Sequence, residues 1–539
     1  MSTPNSKDNT MSEASHHNEK TEQGAAVNAS VPIVADALPH EHKPDPWGPG
    51  HKKLYLMCGL VYFCSTMNGY DGSLMGSINA LPEYQQYYNL GPDGATSTGL
   101  VFSIFQIGQM VAALFLWIPD WRGRRTAMFV GCVGVIIATV VTTVAPNLGT
   151  FIGGRFLLSF FATIAYNSAP LYLVEIAPPL YRGTIAGIFN TLWYMGSIIA
   201  TFAVYGANLH IQGNLKWRLP LWLQMLCPGI VCLGVLFIPE SPRWLVSKGR
   251  HEEARNIIVE YHANGDAEHP IVDLEMKEIE HSLATAGVIS FRNSIDLRGL
   301  FCSSGRRYRL MLVITFAWFG QFSGNNIASY YLPMMMNNVG ITSTNLVLLM
   351  NAIYAVVGWI FATSGARFHD VFGRRKMLMG SCAGLSVCLA IVAGTAAKYE
   401  QTGSTQASAA SIAFIFIFGA FFAFSFTPMQ PIYPAEVLSM TVLTSLPPLD
   451  DMRAKGMMVF AIASGCASFV NTFAAPKALH DIRYWFYVFF VFWDVFEFIF
   501  IYFFYVETKG WTLEELDDVF DSKNPKKASL SKPAAPGSA

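Results

Sequence analysis

Charge is the scarcest commodity in this 539-residue chain: Lys, Arg, Asp and Glu make up 14% of it, against about 25% in an average globular protein. Its 36 basic and 37 acidic residues leave a formal net charge of −1, so the basic excess of a nucleic-acid-binding surface is missing. The nine cysteines, among them Cys58, Cys132, Cys227 and Cys388, show no Cys-x-x-Cys or Cys-His spacing. Neither a disulfide framework nor a metal site is indicated, and these residues read as small packing groups. No P-loop, metal-ligand cluster or nucleophile elbow is present, which argues against ATP-driven pumping and against an enzyme, and no cofactor is expected. The first fifty residues lack the apolar core of a signal peptide and read as a disordered tail.

What is abundant is apolar surface. Hydrophobic residues account for 52% of the chain and Phe alone for 40 positions. A membrane span needs about 20 mostly apolar residues, and twelve such runs can be placed. They cover 54–77, 98–118, 126–145, 150–173, 183–205 and 217–238, then 309–334, 345–366, 376–397, 409–433, 455–478 and 484–505. The string Asp120-Trp-Arg-Gly-Arg-Arg125 in one hydrophilic gap recurs as Asp370-Val-Phe-Gly-Arg-Arg375 in another, about half the chain later. That period is too long for a solenoid and implies two similar membrane bundles in tandem, the arrangement of a transporter. The expected fold is therefore an all-α membrane protein, with a tail (1–53), a six-helix bundle (54–238), a helical domain (239–308), a second six-helix bundle (309–505) and a C-terminal tail (506–539). Arg122, Arg124, Arg125, Arg374, Arg375, Lys376 and the basic central segment would share one side, while loops 78–97, 146–149 and 335–344 contain no Lys or Arg. Positive charge concentrates on the cytoplasmic side, so both tails and the central domain are expected there.

Several motifs converge on one family. They are Gly154-Arg155, Pro170-x-Tyr172-x-x-Glu175 with Arg182-Gly183, Pro239-Glu-Ser-Pro-Arg-Trp244, Gln321-x-Ser-Gly-x-Asn326 with Tyr330-Tyr331, Tyr433-Pro-Ala-Glu436, and Val506-Glu-Thr-Lys-Gly510. In this order and spacing the chain resembles the sugar porters of the major facilitator superfamily over nearly its whole core. Asn190-Thr-Leu-Trp-Tyr-Met-Gly196 and Asn325-Asn-Ile-Ala-Ser-Tyr-Tyr-Leu-Pro333 resemble, more particularly, the fungal lactose-permease-like branch, which includes disaccharide and monosaccharide permeases.

Asp71 lies in an otherwise uncharged first span, where a carboxylate is costly and wants a partner or a proton. Arg155 in the fourth span is the candidate partner: at 1.5 Å per residue both groups fall roughly 9 Å below the outer ends of their helices. An Asp beside an Arg stays ionised, and separating or desolvating the pair invites protonation. The resemblance adds that proton-coupled sugar porters hold an acidic residue and an arginine at these positions, whereas facilitative animal relatives have a neutral side chain at the first. Asp71 and Arg155 are thus the expected proton-coupling pair; the plain alternative is a static pair that fixes helix packing.

A sugar needs amide donors and acceptors, aromatic platforms and little net charge. By resemblance, Asn190, Gln321, Asn326 and Asn471 are expected to contact it, with Tyr330 and Tyr331 forming an outer gate. The usual Gln-Gln pair is Gly320-Gln321 here, the usual eighth-span Asn is Gly358, and the tenth-span Trp position falls near Gln430-Pro431. Smaller groups at contact positions point to a roomier cavity suited to a disaccharide, unless other side chains fill the space.

Charges at the cytoplasmic helix ends form a candidate gate. In the first half these are Asp120, Arg124, Arg125, Glu175 and Arg182; in the second, Asp370, Arg374, Arg375, Glu436 and Arg453. Glu240, Arg243 and Glu507 are expected to join them and tether the central domain. Such pairs can form between the halves when that side closes and separate when it opens. The segment between Met440 and Met452 is longer than its first-half counterpart, and Asp494 and Glu497 share a face of the last span without an assigned role.

The expected activity is import of a mono- or disaccharide with a proton across the plasma membrane by alternating access. The alternatives are a facilitative sugar uniporter and a non-transporting sugar sensor. Expected partners are the sugar, the proton and membrane lipid, with no nucleic acid and a functional monomer.

Overall fold

The computed structural model describes residues 45, 47–90, 95–178, 182–286, 298–338, 340–438, 450–509, 511 and 513–530. Eight of the described helices are long and apolar enough to cross a membrane. They are α5 (Arg124–Val144), α6 (Leu148–Ile176), α7 (Arg182–His210), α16 (Thr344–Phe372), α17 (Arg374–Thr402), α18 (Thr405–Leu438), α19 (Asp450–Asp481) and α20 (Tyr484–Phe504). The other four spans fall short of that test for visible reasons. The apolar run of α1 (Pro49–Ile78) is diluted by Asn68, Asp71 and several glycines and serines, and α3 (Ala95–Ala113), which lies between the short helices α2 (Pro82–Tyr87) and α4 (Ile118–Arg122), is apolar over the shorter stretch Gly99–Ala113. The sixth span is cut into α8 (Leu215–Leu223) and α9 (Leu226–Gly234), while the seventh breaks after α13 (Ser304–Phe322) and resumes as α14 (Asn325–Tyr330) and α15 (Leu332–Asn338). The result is the twelve-helix, two-bundle architecture expected from the apolar runs.

Helix ends follow local chemistry. Asn147 caps α6 by accepting a bond from Thr150 N at 2.8 Å, and Ser303 caps α13 by accepting from Arg306 N at 3.1 Å. At the break in the seventh span Gly324 takes φ +87°, a left-handed conformation that most side chains avoid. Side chains that the fold leaves uncovered, such as Leu233, Phe237 and Phe492, are the apolar exterior that lipid hydrocarbon would cover.

Within the first half, α1 and α7 pack backbone on backbone. A Cβ on Gly69 would stand 1.8 Å from Trp193 O, and one on Gly196 would stand 1.9 Å from Thr66 O. Small residues are how membrane helices approach so closely. The halves meet through α3 against α19 and α7 against α16.

Between the bundles, α10 (Pro242–Ser247), α11 (His251–Tyr261) and α12 (Pro270–Ala286) enclose a small apolar core of Leu245, Ile258, Ile271 and Val272. Several contacts dock it on the first bundle, among them Lys53 with Glu260 at 2.8 Å. His262 places Nδ1 2.6 Å from Glu275 Oε2 and Nε2 2.9 Å from Ile176 O at the end of α6. Asn264 Oδ1 accepts from Gly50 N at 3.1 Å at the start of α1. The face carrying these helices is the inner face below. Two short helices, α21 (Leu513–Asp521) and α22 (Pro525–Leu530), follow the last span. The extra segment after Met440 lies mostly outside the described residues.

Candidate functional site: a polar cavity between the halves

A cavity of about 700 Å³ lies between the bundles. Helix α7 contributes Asn190, Trp193 and Tyr194; the seventh span contributes Gln321, Asn325 and Asn326; α16 and α18 add Asn351, Tyr354, Thr427 and Gln430. The lining runs to Trp117, Asp120, Lys455 and Met458 toward the inner face. Toward the outer face the halves are tied together. Asn351 Nδ2 donates to Ser77 Oγ at 2.7 Å, Asn208 Nδ2 to Asn345 Oδ1 at 2.5 Å, and Tyr331 packs edge-on against Phe102 with ring centres 5.0 Å apart. The cavity is therefore open on the inner side and shut on the outer side.

The expected contact residues divide. Gln321, Asn326 and Asn190 line the cavity. Asn326 commits both amide hydrogens, one to Gln321 Oε1 at 3.4 Å and one to Ser468 Oγ at 3.0 Å, so it orients Gln321 and leaves its own carbonyl oxygen for other partners. Asn190 Nδ2 reaches across to Thr427 O at 3.2 Å. Asn471 departs from expectation: it stands behind the cavity wall and donates to the backbone oxygen of Gln321 at 2.9 Å. The reason is the broken seventh span, where a freed helical carbonyl takes a side-chain donor instead. Tyr331 sits in the outer closure, its hydroxyl bonded to Thr472 O at 2.7 Å; the side chain of Tyr330 lies outside the described ones.

The extra room expected at Gly358 is absent. A Cβ there would stand 2.5 Å from Tyr194 Cε1, so the tyrosine of α7 already fills the position, and at Gly320 the nearest group is Gln430 Nε2, 3.4 Å from the same ideal atom. Trp193, Tyr194 and Asn325 lie within the strings that carry the family resemblance but have no contact role in the sequence reading, which does not name Asn351 or Thr427. Their aromatic and amide character inside apolar runs was the available signal, and which of them face inward required the packed helices.

Asp71 is wholly buried, as is Arg155 apart from a trace, and neither lines the cavity. Gln224, in the kink between α8 and α9, donates its amide to Asp71 Oδ1. The Arg155 guanidinium acts electrostatically on the same carboxylate and lies 4.8 Å from the centre of the Phe105 ring. Sequence thus paired the two charges and missed the amide. Gly72 and Ser73, the next two residues of α1, do line the cavity, so the buried charge sits one residue behind its wall. Asp494 and Glu497 lie buried in the second bundle, away from the cavity; Glu497 accepts from Trp493 Nε1 at 2.5 Å.

The inner-face charges form the same device twice. In the first half, Arg124 bonds both oxygens of Glu175, at 2.9 and 2.8 Å, and reaches Asp120 at 2.9 Å. Glu240 accepts from the backbone N–H groups of Arg124, Arg125 and Ser241, and Ser241 Oγ donates to Glu175 at 2.5 Å. In the second half, Arg374 bonds Glu436 at 2.8 Å, Glu507 accepts from the N–H groups of Arg374 and Arg375, and Thr508 donates to Glu436 at 2.6 Å. Burial pushes the Glu240 carboxyl above its ordinary value, against the pull of those amides and of Arg124. Every one of these pairs lies within one half. The expected pairing between halves does not occur among these pairs of described side chains, in keeping with a cavity that opens on the inner side. Arg125 donates to Leu236 O at 2.5 Å, and Arg243 makes no ion pair among the described residues. The side chains of Arg182, Asp370 and Arg453 lie outside the described ones.

Known proteins resemble this chain in sequence and in fold. A family profile described as "Sugar (and other) transporter" matches residues 57–520. The chain is 29% identical over 500 residues to a quinate permease of Emericella nidulans, covering 90% of this chain and 91% of that one. It is also 29% identical over 509 residues to a quinate permease of Neurospora terricola, with 90% and 91% covered. Among solved structures, the inward-open conformation of the xylose transporter XylE from E. coli aligns with a TM-score of 0.70 at 19% identity, over 86% of this chain and 99% of that one, a likeness of fold. With that profile spanning both bundles and the domain between them, the chain belongs to the sugar transporter family of the major facilitator superfamily and is a multi-pass membrane transporter, not an enzyme.

Proposed function

We propose that this protein imports a neutral mono- or disaccharide together with a proton across the plasma membrane, by alternating access. The observation that carries the reading is an amide- and aromatic-lined cavity between the halves with a buried carboxylate, Asp71, one residue behind its wall. Gln321, Asn190 and Asn325 supply hydrogen bonds to hydroxyls, and Trp193 supplies a flat apolar face. Asp71 carries the proton, with Arg155 and Gln224 as the groups that hold its ionised form. The inner face is cytoplasmic, as the positive charge on its loops favours, and the termini lie on that side. The ion-pair clusters around Arg124 and Arg374 keep each half rigid while the halves rock about the cavity, and the protein works as a monomer in lipid.

A second substrate has the names of the relatives behind it. Quinate is a single cyclohexane ring bearing hydroxyls and one carboxylate, and the same amides suit its hydroxyls; Lys455, toward the inner end of the cavity lining, offers a charge for the acid. The test is uptake by purified protein in liposomes of labelled lactose, cellobiose, glucose, xylose and quinate, with and without an inward proton gradient. Accumulation above equilibrium that collapses with a protonophore supports symport and names the solute. In Asp71→Asn, exchange should persist while accumulation disappears; accumulation unchanged in that variant removes Asp71 from coupling. Equilibration indifferent to the gradient makes the protein a uniporter, and binding without flux makes it a sensor.

A further inference from the structure

Tyr194 and Gly358 meet across the boundary between the halves. The ideal Cβ of Gly358 stands 2.5 Å from Tyr194 Cε1 and 3.3 Å from Cδ1 and Cζ, so the ring and any side chain at 358 exclude one another. The tyrosine hydroxyl lies 3.2 Å from Thr427 Oγ1, and one turn earlier Asn190 bonds the backbone oxygen of the same threonine. Trp193 meets the ring edge-on at 5.1 Å between centres. All five residues line the cavity.

We propose that Tyr194 sets the size class of the solute: from α7 it occupies the α16 side of the cavity, and so it disfavours a second ring extending that way. The inference rests on the reading that this cavity is the solute site. The ring has backbone directly behind it at Gly358, so it cannot withdraw toward α16. Turning the other way carries it into the solute's own volume and breaks the bond to Thr427. A one-ring polyol therefore lies against the phenol face with its hydroxyls on Gln321, Asn325 and Gln430, all of which line the same cavity. A second ring extending toward α16 meets the tyrosine.

The experiment measures the ratio of two-ring uptake (lactose, cellobiose) to one-ring uptake (glucose, xylose, quinate) in proteoliposomes. It uses wild type, Tyr194→Phe, Tyr194→Ala, Gly358→Ala and the double variant Gly358→Ala/Tyr194→Ala. Pocket shape discriminates by about tenfold to about two-hundredfold per group, so wild type should favour one-ring solutes by at least about tenfold and Tyr194→Ala should raise the two-ring ratio by about the same factor. Tyr194→Phe should keep the size preference while raising KM for one-ring solutes a few-fold. Gly358→Ala should depress one-ring uptake about tenfold by forcing the ring from its seat, and adding Tyr194→Ala should restore flux with the size preference of Tyr194→Ala alone. That rescue makes the test independent of whether either single variant assembles poorly. Flux in the double variant with a wild-type ratio overturns the size role and leaves the cavity reading standing. A wild type that prefers two-ring solutes likewise overturns the size role alone. No flux of any of the five solutes in any variant overturns both.

Discussion

Gly123→Ala is the perturbation that reaches furthest into the inner-face device. Gly123 adopts φ +98° and ψ 154°, a region essentially closed to residues with a side chain. Its Cβ would also stand 2.2 Å from Glu240 Oε2. Backbone strain there costs about 1–3 kcal/mol. Pushing Glu240 aside further removes its hydrogen bonds from Arg124, Arg125 and Ser241, which share one oxygen and together contribute about 2–3 kcal/mol as bonds to a charged group. The single variant should therefore be destabilised by about 3–6 kcal/mol, and Glu240→Ala by about 2–3 kcal/mol. The double variant separates the two causes. With the carboxylate already gone the clash vanishes and only the strain is added, so the pair should cost about 2–3 kcal/mol less than the sum of the singles. Denaturant unfolding of purified protein in detergent, followed by tryptophan fluorescence, reads this directly. Gly373, at φ +92° with its Cβ 2.6 Å from Glu507 Oε2, provides the independent repeat in the second half. Wild-type stability in Gly123→Ala, or singles that add to within about 0.5 kcal/mol, would refute the claim that the glycine exists to admit the carboxylate.

Arg124→Ala should leave Glu175, nine-tenths buried, without its cation. A cost of about 3–5 kcal/mol is expected where a buried pair is broken, with Arg124→Lys intermediate because it keeps the charge and loses the two-point geometry; the same unfolding assay ranks them. Asn471→Ala removes the donor to Gln321 O, and a membrane hydrogen bond contributes about 0.6 kcal/mol, so KM should rise about threefold, less than for Gln321→Ala, with kcat nearly unchanged. The remaining prediction concerns pH. Burial holds His51 below its ordinary value, against its bond with Asn264 of the central domain. A histidine with a depressed folded pKa adds stability that is full above the unfolded value, about 6.5, and is lost as pH falls through the lower folded value. Hydrogen-exchange protection at residues 50–53 and 260–264, with rates divided by the intrinsic amide rate at each pH, should fall on acidification below about pH 6.5 in wild type and not in His51→Asn; equal pH response of the protection in both would end the argument.

How far the sequence reached depended on whether the signal was local. The apolar runs marked the spans, and the gap motifs marked both inner-face loops because Gly123 and Gly373 must sit beside Arg124 and Arg374 whatever the tertiary structure does. The sixth and seventh spans read as continuous, since the kink at Gln224 and the break at Gly324 replace few apolar residues. Partners distant in the chain were harder. Asp71 and Arg155 could be matched by depth because charges are rare in spans, but Gln224 is an amide among many polar residues and nothing in its spacing ties it to Asp71. The vacancy expected at Gly358 illustrates the same limit. A missing side chain in one helix says nothing about which neighbour has grown into the space, and here the filler comes from the other half of the molecule.

The opening helices of the two halves differ in a way that separates the buried charge from the cavity. Helix α13 breaks after Phe322, and the break presents Gln321 and Asn325 to the cavity while Asn471 and Asn326 take up the loosened hydrogen bonding. Helix α1 runs unbroken through 30 residues and keeps Asp71 out of the cavity. If Asp71 carries the proton as proposed, its response to the solute has to pass through the cavity wall. Trp193 lines the cavity, and its backbone oxygen is what bars a side chain at Gly69, two residues before Asp71. Backbone packed on backbone has no side-chain rotamers to absorb a displacement, so a shift of α7 at Trp193 and Tyr194 has to be taken up by α1 at Gly69. On the proposed reading this contact is a mechanical route from an arriving solute to the Asp71–Gln224–Arg155 cluster, and it gives the close backbone approach of α1 and α7 beside the buried charge a use beyond packing.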